Sequence, residues 1–416
     1  MSPAQQQGIR TAAQVFPFRA NRYVMDQLID WDAVPDDPIF RLTFPLPEML
    51  SSREVSRLAG LLAAGDKAAL QREVNDIRRS LNPHPAGQLT HNQAMLGGKA
   101  LPGLQHKYDQ TVLFFPSQAQ TCHAYCTFCF RWAQFAGMPD LKIASKEVDH
   151  LTAYLEAHPE VSDVLITGGD PMFMGAEALA RCIEPLLEPE LVHVRNIRIG
   201  TKSVAYWPMR YFADADADQV LRLFERVSAS GRQLALMAHF DHPRELEAPA
   251  AREALRRIRD TGAVVRVQAP LLHHINDDAR LWARLWREAV GQGAVPYYMF
   301  VARDTGAQEY FKVTLHRAWR IYREAVSMVS GLARTVRGPS MSAHPGKVRL
   351  QGLAKLGGRK VFVLDYLQAR QAELVGKPFF ARFDPEAIWF DELEPASPDD
   401  EPFFPDLDDS LTQAAG

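Results

Sequence analysis

Apolar residues follow two alternating patterns along the middle of the chain, from about residue 111 onward. Short runs rich in β-branched and aromatic residues predict six strands, at 111–116, 161–169, 194–201, 232–240, 263–270 and 294–301. Apolar residues at helical spacing predict helices near 145–158 and at 176–188, 216–230, 243–262, 276–293 and 309–331. This alternation predicts an α/β fold with a parallel sheet covered by helices. Units of about 30 residues favour a six-unit partial (β/α) barrel.

The segment before this rhythm, residues 1–110, is predicted to be a mostly helical extension. Leu and Ala recur at helical spacing over 51–81. Ser51 or Ser52 could cap the helix there, because a serine oxygen can accept a hydrogen bond from a free N–H of the first turn. The stretch NPHPAGQ at 82–88 ends the helical pattern. The barrel is therefore predicted to occupy residues 111–335.

The remaining residues, 336–416, are predicted to form a small C-terminal region in which the strand–helix rhythm has stopped. The stretches RGPSMSAHPGKVRLQGL and GGRKVFVLDYL are typical of a loop and strands. From Phe383 onward there is no Lys or Arg, while Asp and Glu are frequent. The last stretch, EPASPDDEPFFPDLDDSLTQAAG, is acidic and Pro-rich, which predicts a solvated, partly disordered tail at the end of the chain.

Composition excludes some classes of protein. The 416 residues are 47% hydrophobic and 23% charged, as in an ordinary globular protein, and their formal net charge is −3. A nucleic-acid binder usually carries a basic excess, which is absent from this sequence. No apolar run approaches the about 18 residues that predict a membrane span. Because the first residues also lack the pattern of a signal peptide, the expected location is the cytoplasm.

Three of the four cysteines form the strongest chemical motif. Cys122, Cys126 and Cys129 have the spacing C-x3-C-x2-C and follow the first predicted barrel strand. Three thiolates can hold three irons of a [4Fe–4S] cluster and leave the fourth iron open, which is what substrate binding requires. A zinc site completed by His123 or Cys182 is the alternative. Cys182 itself lies in an apolar helical pattern, which favours a place in the core.

This cysteine spacing resembles that of the radical S-adenosylmethionine (SAM) superfamily. The resemblance implies a partial barrel of radical SAM type and a cluster whose open iron binds the methionine part of SAM. An electron from the cluster then cleaves SAM to a 5′-deoxyadenosyl radical. The residue before the third cysteine is often aromatic and near the adenine in that superfamily; here it is Phe128.

A second motif, Ile166-Thr-Gly168-Gly169-Asp170-Pro171, follows the second predicted strand. A glycine pair at a strand end lets the backbone approach a ligand closely. In radical SAM enzymes this position belongs to the segment that binds the amino group of SAM. The resemblance therefore implies that Gly168, Gly169 and Asp170 contact SAM, with Asp170 supplying charge.

A narrower resemblance is to the lysine 2,3-aminomutase family. It rests on residues 103–132 and on LITGGDPM, RIGTK, HFDHPRE, QAPLLHHIND and VPYYMF, which occur in that order. Most members use pyridoxal phosphate (PLP) and move an amino group between Cα and Cβ of an amino acid. The radical abstracts hydrogen from Cβ, while the imine to PLP carries the migrating nitrogen.

The resemblance implies roles for individual residues. Arg131 matches the arginine that pairs with the substrate carboxylate, and His239 and Gln268 match positions beside SAM. Lys347 matches the PLP lysine. The substrate side chain would meet Arg303 and Asp304, at a position where lysine-specific members place an acid.

Several departures from the family pattern bear on the substrate. One of two basic residues expected at the PLP phosphate is lost, since the positions hold Lys107 and Thr111. One glycine, Gly346, replaces a Gly-rich run before the lysine. A second family acid is replaced by a small residue within the stretch Ser340–Ala343. We therefore expect an aminomutase whose substrate is not free lysine.

Two alternatives stay open at this point. One is a radical SAM enzyme of the same lineage that lacks PLP or acts on a different or macromolecular substrate. The other is a zinc-stabilised binding protein. The expected partners are a small amino acid and an electron donor such as flavodoxin or ferredoxin, with no nucleic acid and no membrane. A homo-oligomer is compatible with these features.

Overall fold

The computed structural model describes residues 1–82, 92–137 and 143–397. In this part of the chain, twelve strands form one sheet whose spatial order is the order of the sequence. The strands are β1 Gln93–Leu96, β2 Lys99–Tyr108, β3 Thr111–Phe114, β4 Asp163–Ile166, β5 Asn196–Thr201, β6 Gln233–His239, β7 Val264–Leu271, β8 Val295–Val301, β9 Arg337–Ser342, β10 Gly346–Leu356, β11 Arg359–Ala369 and β12 Pro378–Arg382.

The middle of the sheet is parallel and both ends are antiparallel. Strands β3 to β9 pair in parallel, β1 and β2 form a hairpin that continues antiparallel to β3, and β9 to β12 form an antiparallel meander. The six predicted strand–helix units are confirmed as β3 to β8 with their helices. The stretch predicted as loop and strands after the barrel supplies β9 as a further parallel strand. The sequence RGPSMS does not predict this strand, because it lacks the β-branched and aromatic residues that are typical of a buried strand.

The α-helices fall into two groups: the first four precede the sheet, and the others lie in the connections between the parallel strands. The helices are α1 Pro3–Ala12, α2 Pro38–Thr43, α3 Ser52–Ala64, α4 Lys67–Ser80, α5 Trp132–Phe135, α6 Val148–Ala157, α7 Ala176–Ile183, α8 Ser203–Tyr206, α9 Ala217–Ala229, α10 Pro243–Glu247, α11 Pro249–Asp260, α12 Ala279–Gly291, α13 Gln308–Phe311 and α14 Leu315–Ser327. Buried apolar residues of these helices and of the sheet form the main core. A second core lies under β9–β12.

The helical stretch predicted over 51–81 is two helices rather than one. Ser51 caps α3 by accepting a hydrogen bond from the Glu54 N–H, so the first of the two predicted caps is confirmed. Gly65 then ends α3 with a φ of +69°, a conformation that glycine adopts without steric cost. Asp66 caps α4 by accepting a hydrogen bond from the Ala69 N–H. Only Gly65 and Asp66 separate the two helices. The spacing of apolar residues does not reveal so short an interruption.

Three further predictions concern the N- and C-terminal regions. The hairpin β1–β2 lies within the first 110 residues, where mostly helical structure was predicted. Most of the stretch 82–88, which was predicted to end the helical pattern, lies outside the described residues. The acidic tail from residue 398 onward also lies outside them. No helix of the described residues is long and apolar enough to cross a membrane.

Candidate active site at the carboxyl ends of the parallel strands

One cavity of about 730 Å³ opens at the carboxyl ends of the parallel strands. In barrels of this kind the site is built at this edge, because the βα loops converge there. All thirteen residues predicted from the sequence line this cavity. They are Cys122, Phe128, Cys126, Cys129, Arg131, Gly168, Gly169, Asp170, His239, Gln268, Arg303, Asp304 and Lys347.

The loop that carries the three cysteines, residues 115–131, is held by the N-terminal region. Arg19 donates from Nη1 to the Thr121 hydroxyl at 2.8 Å and to the Cys122 carbonyl at 3.1 Å. Asn21 donates from Nδ2 to the His123 carbonyl at 3.3 Å. The first residues of the chain therefore fix the cysteine loop. Sequence reasoning assigned them no such role, because these contacts span about a hundred residues.

A second anchor comes from the end of α2. The Thr127 N–H donates to the Leu42 carbonyl at 2.9 Å, and the Thr127 hydroxyl donates to the Arg41 carbonyl at 2.7 Å. Thr127 lies between the second and third cysteines. Both sides of the cysteine loop are thus tied to the N-terminal region, and the loop does not depend on a bound metal alone for its shape.

Burial disfavours the thiolate form of the three cysteines when no metal is bound. Burial raises the pKa of Cys122, Cys126 and Cys129, and repulsion among the thiols adds to the effect at Cys122 and Cys126. Iron ions would offset the cost of forming thiolates in a buried site, because a metal deprotonates the thiol that coordinates it. Among the residues that the structure describes, no three His, Cys, Asp or Glu side chains converge as a site for one metal ion. Metal analysis is therefore the test of the zinc alternative.

Cys182 is separate from this group. It lies in α7, is 4% exposed and packs in the main core. Its pKa is raised to about 11 by burial. The predicted core position is confirmed.

The glycine pair after β4 is packed against the cysteine loop. A Cβ at Gly169 would lie 2.5 Å from the Thr121 carbonyl oxygen, and one at Gly168 would lie 2.8 Å from the Ala119 carbonyl oxygen. The Gly169 N–H donates to Ala119 O and the Asp170 N–H to Thr121 O, both at 2.8 Å. The glycines are thus required by contact between two loops, whereas their sequence interpretation was the approach of a ligand.

The Asp170 carboxylate is buried and hydrogen-bonded within the protein. Oδ1 accepts from the Thr201 hydroxyl at 2.7 Å and the Met172 N–H at 3.0 Å, and Oδ2 accepts from the Lys202 N–H at 2.9 Å. These bonds connect the ends of β4 and β5. Asp170 therefore orders the turn that follows the glycine pair, and its charge also faces the Cys122 thiol.

His239 and Gln268 are neighbours at the ends of β6 and β7, where they pair in register. The His239 ring lies 5.5 Å from the Phe128 ring, measured between centroids. This contact brings the cysteine loop against the end of β6. The predicted SAM-side residues Phe128, His239 and Gln268 are thus one contiguous surface.

A buried ionic network behind His239 was not predicted from the sequence. Lys202 donates from Nζ to Asp241 Oδ2 at 2.7 Å and to Glu245 Oε1 at 2.8 Å. Burial alone would lower the pKa of Lys202, but the two carboxylates outweigh it and raise the pKa. Asp241 Oδ1 also lies 2.9 Å from His239 Nε2. Asp241 and Glu245 both occur in the stretch HFDHPRE, directly after a predicted strand. Their position at a strand end is the feature from which the sequence could have indicated a place near the site.

Lys347 lies at the start of β10 and lines the same cavity as the cysteines. Its Nζ is 4.3 Å from the centroid of the Tyr298 ring. Burial lowers the pKa of Lys347 to about 8, and Arg198 and Arg337 contribute to the shift. The single glycine before it is required, because a Cβ at Gly346 would lie 2.3 Å from the carbonyl oxygen of Gln368 on β11.

Arg131 lies between the cysteines and the glycine pair. Its Nη1 donates to the Thr167 hydroxyl and to the Gly168 carbonyl, each at 2.8 Å. Its guanidinium carbon is 4.7 Å from the centroid of the Phe115 ring. Burial lowers the pKa of Arg131 to about 10. These contacts hold the guanidinium in one orientation at the cavity wall.

The part of the cavity near Lys347 is rich in cations. Lys107 donates from Nζ to the Ala343 carbonyl at 2.6 Å. Burial lowers the pKa of Lys107 to about 7, and three neighbouring cations, Arg370, Arg303 and Lys347, contribute to the shift. Arg303 also faces the carboxylate of Asp304, with Nε and Oδ1 3.9 Å apart.

The fold and the site define the class of protein: a partial (β/α) barrel with a three-cysteine loop at the carboxyl ends of its strands, as in radical SAM enzymes. No protein-family model matches the chain. A protein of Aquifex aeolicus named "Putative L-lysine 2,3-aminomutase" is 32% identical over 385 residues, which cover 92% of this chain and 89% of the relative. The chain belongs to the lysine 2,3-aminomutase family.

Other relatives match a shorter part of the chain. The L-lysine 2,3-aminomutase of Fusobacterium nucleatum is 29% identical over 56% of this chain and 51% of its own length. That of Escherichia coli is 28% identical over 60% of this chain and 69% of its own length. A radical SAM methyltransferase from Sphaerobacter thermophilus superposes with a TM-score of 0.39 and 20% identity over 56% of this chain and 68% of its own.

Family membership assigns the chain as a radical SAM enzyme of the isomerase type. It also implies a [4Fe–4S] cluster and SAM as the shared chemistry of the family.

Proposed function

We propose that the chain is an amino-acid 2,3-aminomutase that works through a 5′-deoxyadenosyl radical and PLP, with a substrate other than free lysine. One observation carries the proposal: Lys347 and the three cysteines line the same cavity. A radical generated at the cluster would therefore share one cavity with a substrate held at Lys347. An electron carrier such as flavodoxin or ferredoxin would be the partner, and the cytoplasm, where thiols stay reduced, would be the location.

The cysteine side of the cavity suits SAM. Cys122, Cys126 and Cys129 would hold three irons of the cluster, which supplies the electron and the open iron for SAM. The contiguous surface of Phe128, His239 and Gln268 would then line the rest of SAM. The glycine pair and Asp170 would shape the turn beside its amino group, with Asp170 acting through the strand ends that it joins.

The part of the cavity around Lys347 suits PLP, which would supply the means of carrying the migrating nitrogen. An amine must be neutral to act as a nucleophile, and burial lowers the pKa of Lys347 enough to provide this form near neutral pH. The Lys107 ammonium, held near Ala343, offers a charge for a phosphate. Arg131 is proposed to pair with the α-carboxylate of the substrate, a task that suits a planar donor.

The cations near Lys347 argue against lysine as the substrate. An ammonium group is costly to desolvate unless carboxylates face it. Asp304 is one such carboxylate, but Arg303 lies beside it and Arg370 lies near Lys107. Ser342 and Ala343 add no acid to the cavity lining, whereas a second carboxylate, Asp391, lines it and lies near Arg303. The cations Arg303, Arg370, Lys107 and Lys347 still outnumber the two carboxylates. A neutral or anionic side chain would therefore be favoured over a cationic one.

The test is anaerobic reconstitution with iron and sulfide, followed by incubation with SAM, a reductant and a panel of amino acids, with and without PLP. We expect a β-amino acid and 5′-deoxyadenosine by mass spectrometry, with turnover only when PLP is present. Lys347→Ala should lose the β-amino acid and keep the cluster. Cleavage of SAM with no PLP requirement would support the PLP-independent alternative, and zinc without iron would support the binding protein.

A further inference from the structure

Tyr206, the last residue of α8, is a buried phenol that the proposed chemistry has not used. It is 1% exposed and lines the cavity together with Cys126. Its hydroxyl lies against the Cys126 thiol. Among the residues that the structure describes, this hydroxyl has no hydrogen-bond partner. Leaving a buried donor unsatisfied costs about 1–3 kcal/mol, so its position calls for an explanation.

Several contacts hold Tyr206 in this position. Asn21 donates from Nδ2 to the Tyr206 carbonyl at 2.8 Å, and the same group donates to the His123 carbonyl on the cysteine loop. The Tyr206 N–H donates to the Lys202 carbonyl at 2.9 Å. The Lys202 ammonium also lies 4.3 Å from the centroid of the tyrosine ring. The backbone of Tyr206 and the cysteine loop are therefore fixed to each other through one asparagine.

We propose that the Tyr206 hydroxyl donates a hydrogen bond to the sulfur of Cys126 in the cluster-bound protein and thereby raises the reduction potential of the cluster. This inference rests on the cluster of the proposed function. Hydrogen bonds to the sulfurs of an iron–sulfur cluster are among the factors that set its potential. A donor stabilises the reduced cluster more than the oxidised one, because the reduced cluster carries the more negative charge. Tyr206 is thus a positioning residue that acts through a cluster ligand.

The test is Tyr206→Phe, which removes one oxygen and keeps the ring and its contact with Lys202. Tyr23→Phe is the matched control. The Tyr23 hydroxyl is also buried without a partner among the described residues, but its charged neighbour is Glu245 rather than a cysteine. Both variants and the parent are reconstituted, assayed for iron and sulfide, and titrated potentiometrically with detection of the reduced cluster by electron paramagnetic resonance.

We expect a lower midpoint potential in Tyr206→Phe. At a fixed potential, the ratio of reduced to oxidised cluster should fall by roughly twofold to tenfold, which is the effect expected from the net free energy of one hydrogen bond. Tyr23→Phe should leave the ratio unchanged. Pulsed spectra of the reduced parent in D₂O should also show an exchangeable deuteron that Tyr206→Phe lacks. An unchanged potential and deuteron signal in a Tyr206→Phe protein with a full cluster would overturn the inference. Failure of the parent itself to bind iron and sulfide would instead overturn the proposed function.

Discussion

The lowered pKa of Lys347 predicts how the pH controls its reaction with PLP. The pKa falls from 10.5 to about 8 because the amine is buried. At pH 7 the neutral fraction of such an amine is about 9%, against about 0.03% for an ordinary lysine. The buried site therefore makes Lys347 about 300-fold richer in the nucleophilic form than a surface lysine.

The assay is the initial rate at which PLP becomes trapped on the protein by borohydride, measured from pH 6 to 10 and followed by peptide mapping. With a pKa of about 8, the Lys347 amine is half deprotonated near pH 8 and about 90% deprotonated at pH 9. The rate should therefore rise about tenfold per pH unit below the pKa and level off above it. The pyridoxyl group should map to Lys347.

Lys355 provides the matched control, because it lies exposed on the same strand, β10. Lys355→Ala should leave both the rate and the mapped position unchanged, whereas Lys347→Ala should abolish trapping. A rate that continues to rise tenfold per unit beyond pH 9, or an adduct that maps to another lysine, would refute the argument from burial.

Three further predictions concern the cluster, the substrate and the N-terminal anchor. Cys126→Ala should lose both the cluster and SAM cleavage, while Cys182→Ala keeps both, as iron analysis and 5′-deoxyadenosine formation will show. Arg303→Asp should raise the ratio of kcat/KM for lysine over glutamate by at least about tenfold, because it reverses a charge in a largely enclosed cavity; an unchanged ratio would remove Arg303 from the substrate pocket. Asn21→Ala should lower the free energy of unfolding by about 1–3 kcal/mol and weaken cluster retention. The surface variant Asn75→Ala should do neither in the same denaturation and iron assays.

The sequence anticipated features that depend on local pattern. The strands β3 to β8 were visible because each buried strand is a short apolar run followed by a helix of regular spacing. The cysteine loop was visible because its three cysteines come from one segment of eight residues. The strand β9 was not visible, since its burial between β8 and β10 comes from its neighbours and not from its own composition.

Contacts between distant segments explain what the sequence did not reveal. Arg19 and Asn21 reach the cysteine loop from about a hundred residues away, and their own surroundings in the chain carry no motif. Lys202 is similar, because its partners Asp241 and Glu245 come from another βα loop. Each residue acquires its role only when the strand order places two loops side by side.

The glycine pair illustrates how the same residues can be predicted correctly for an incomplete reason. The sequence interpretation was that Gly168 and Gly169 allow a ligand to approach the backbone, and both do line the cavity. Their closest neighbours, however, are backbone atoms of Ala119 and Thr121, just before the first cysteine. A side chain at either position would displace the cysteine loop, whether or not it touched SAM. The motif therefore supports the position of the cysteine loop, which is a role that its sequence pattern did not reveal.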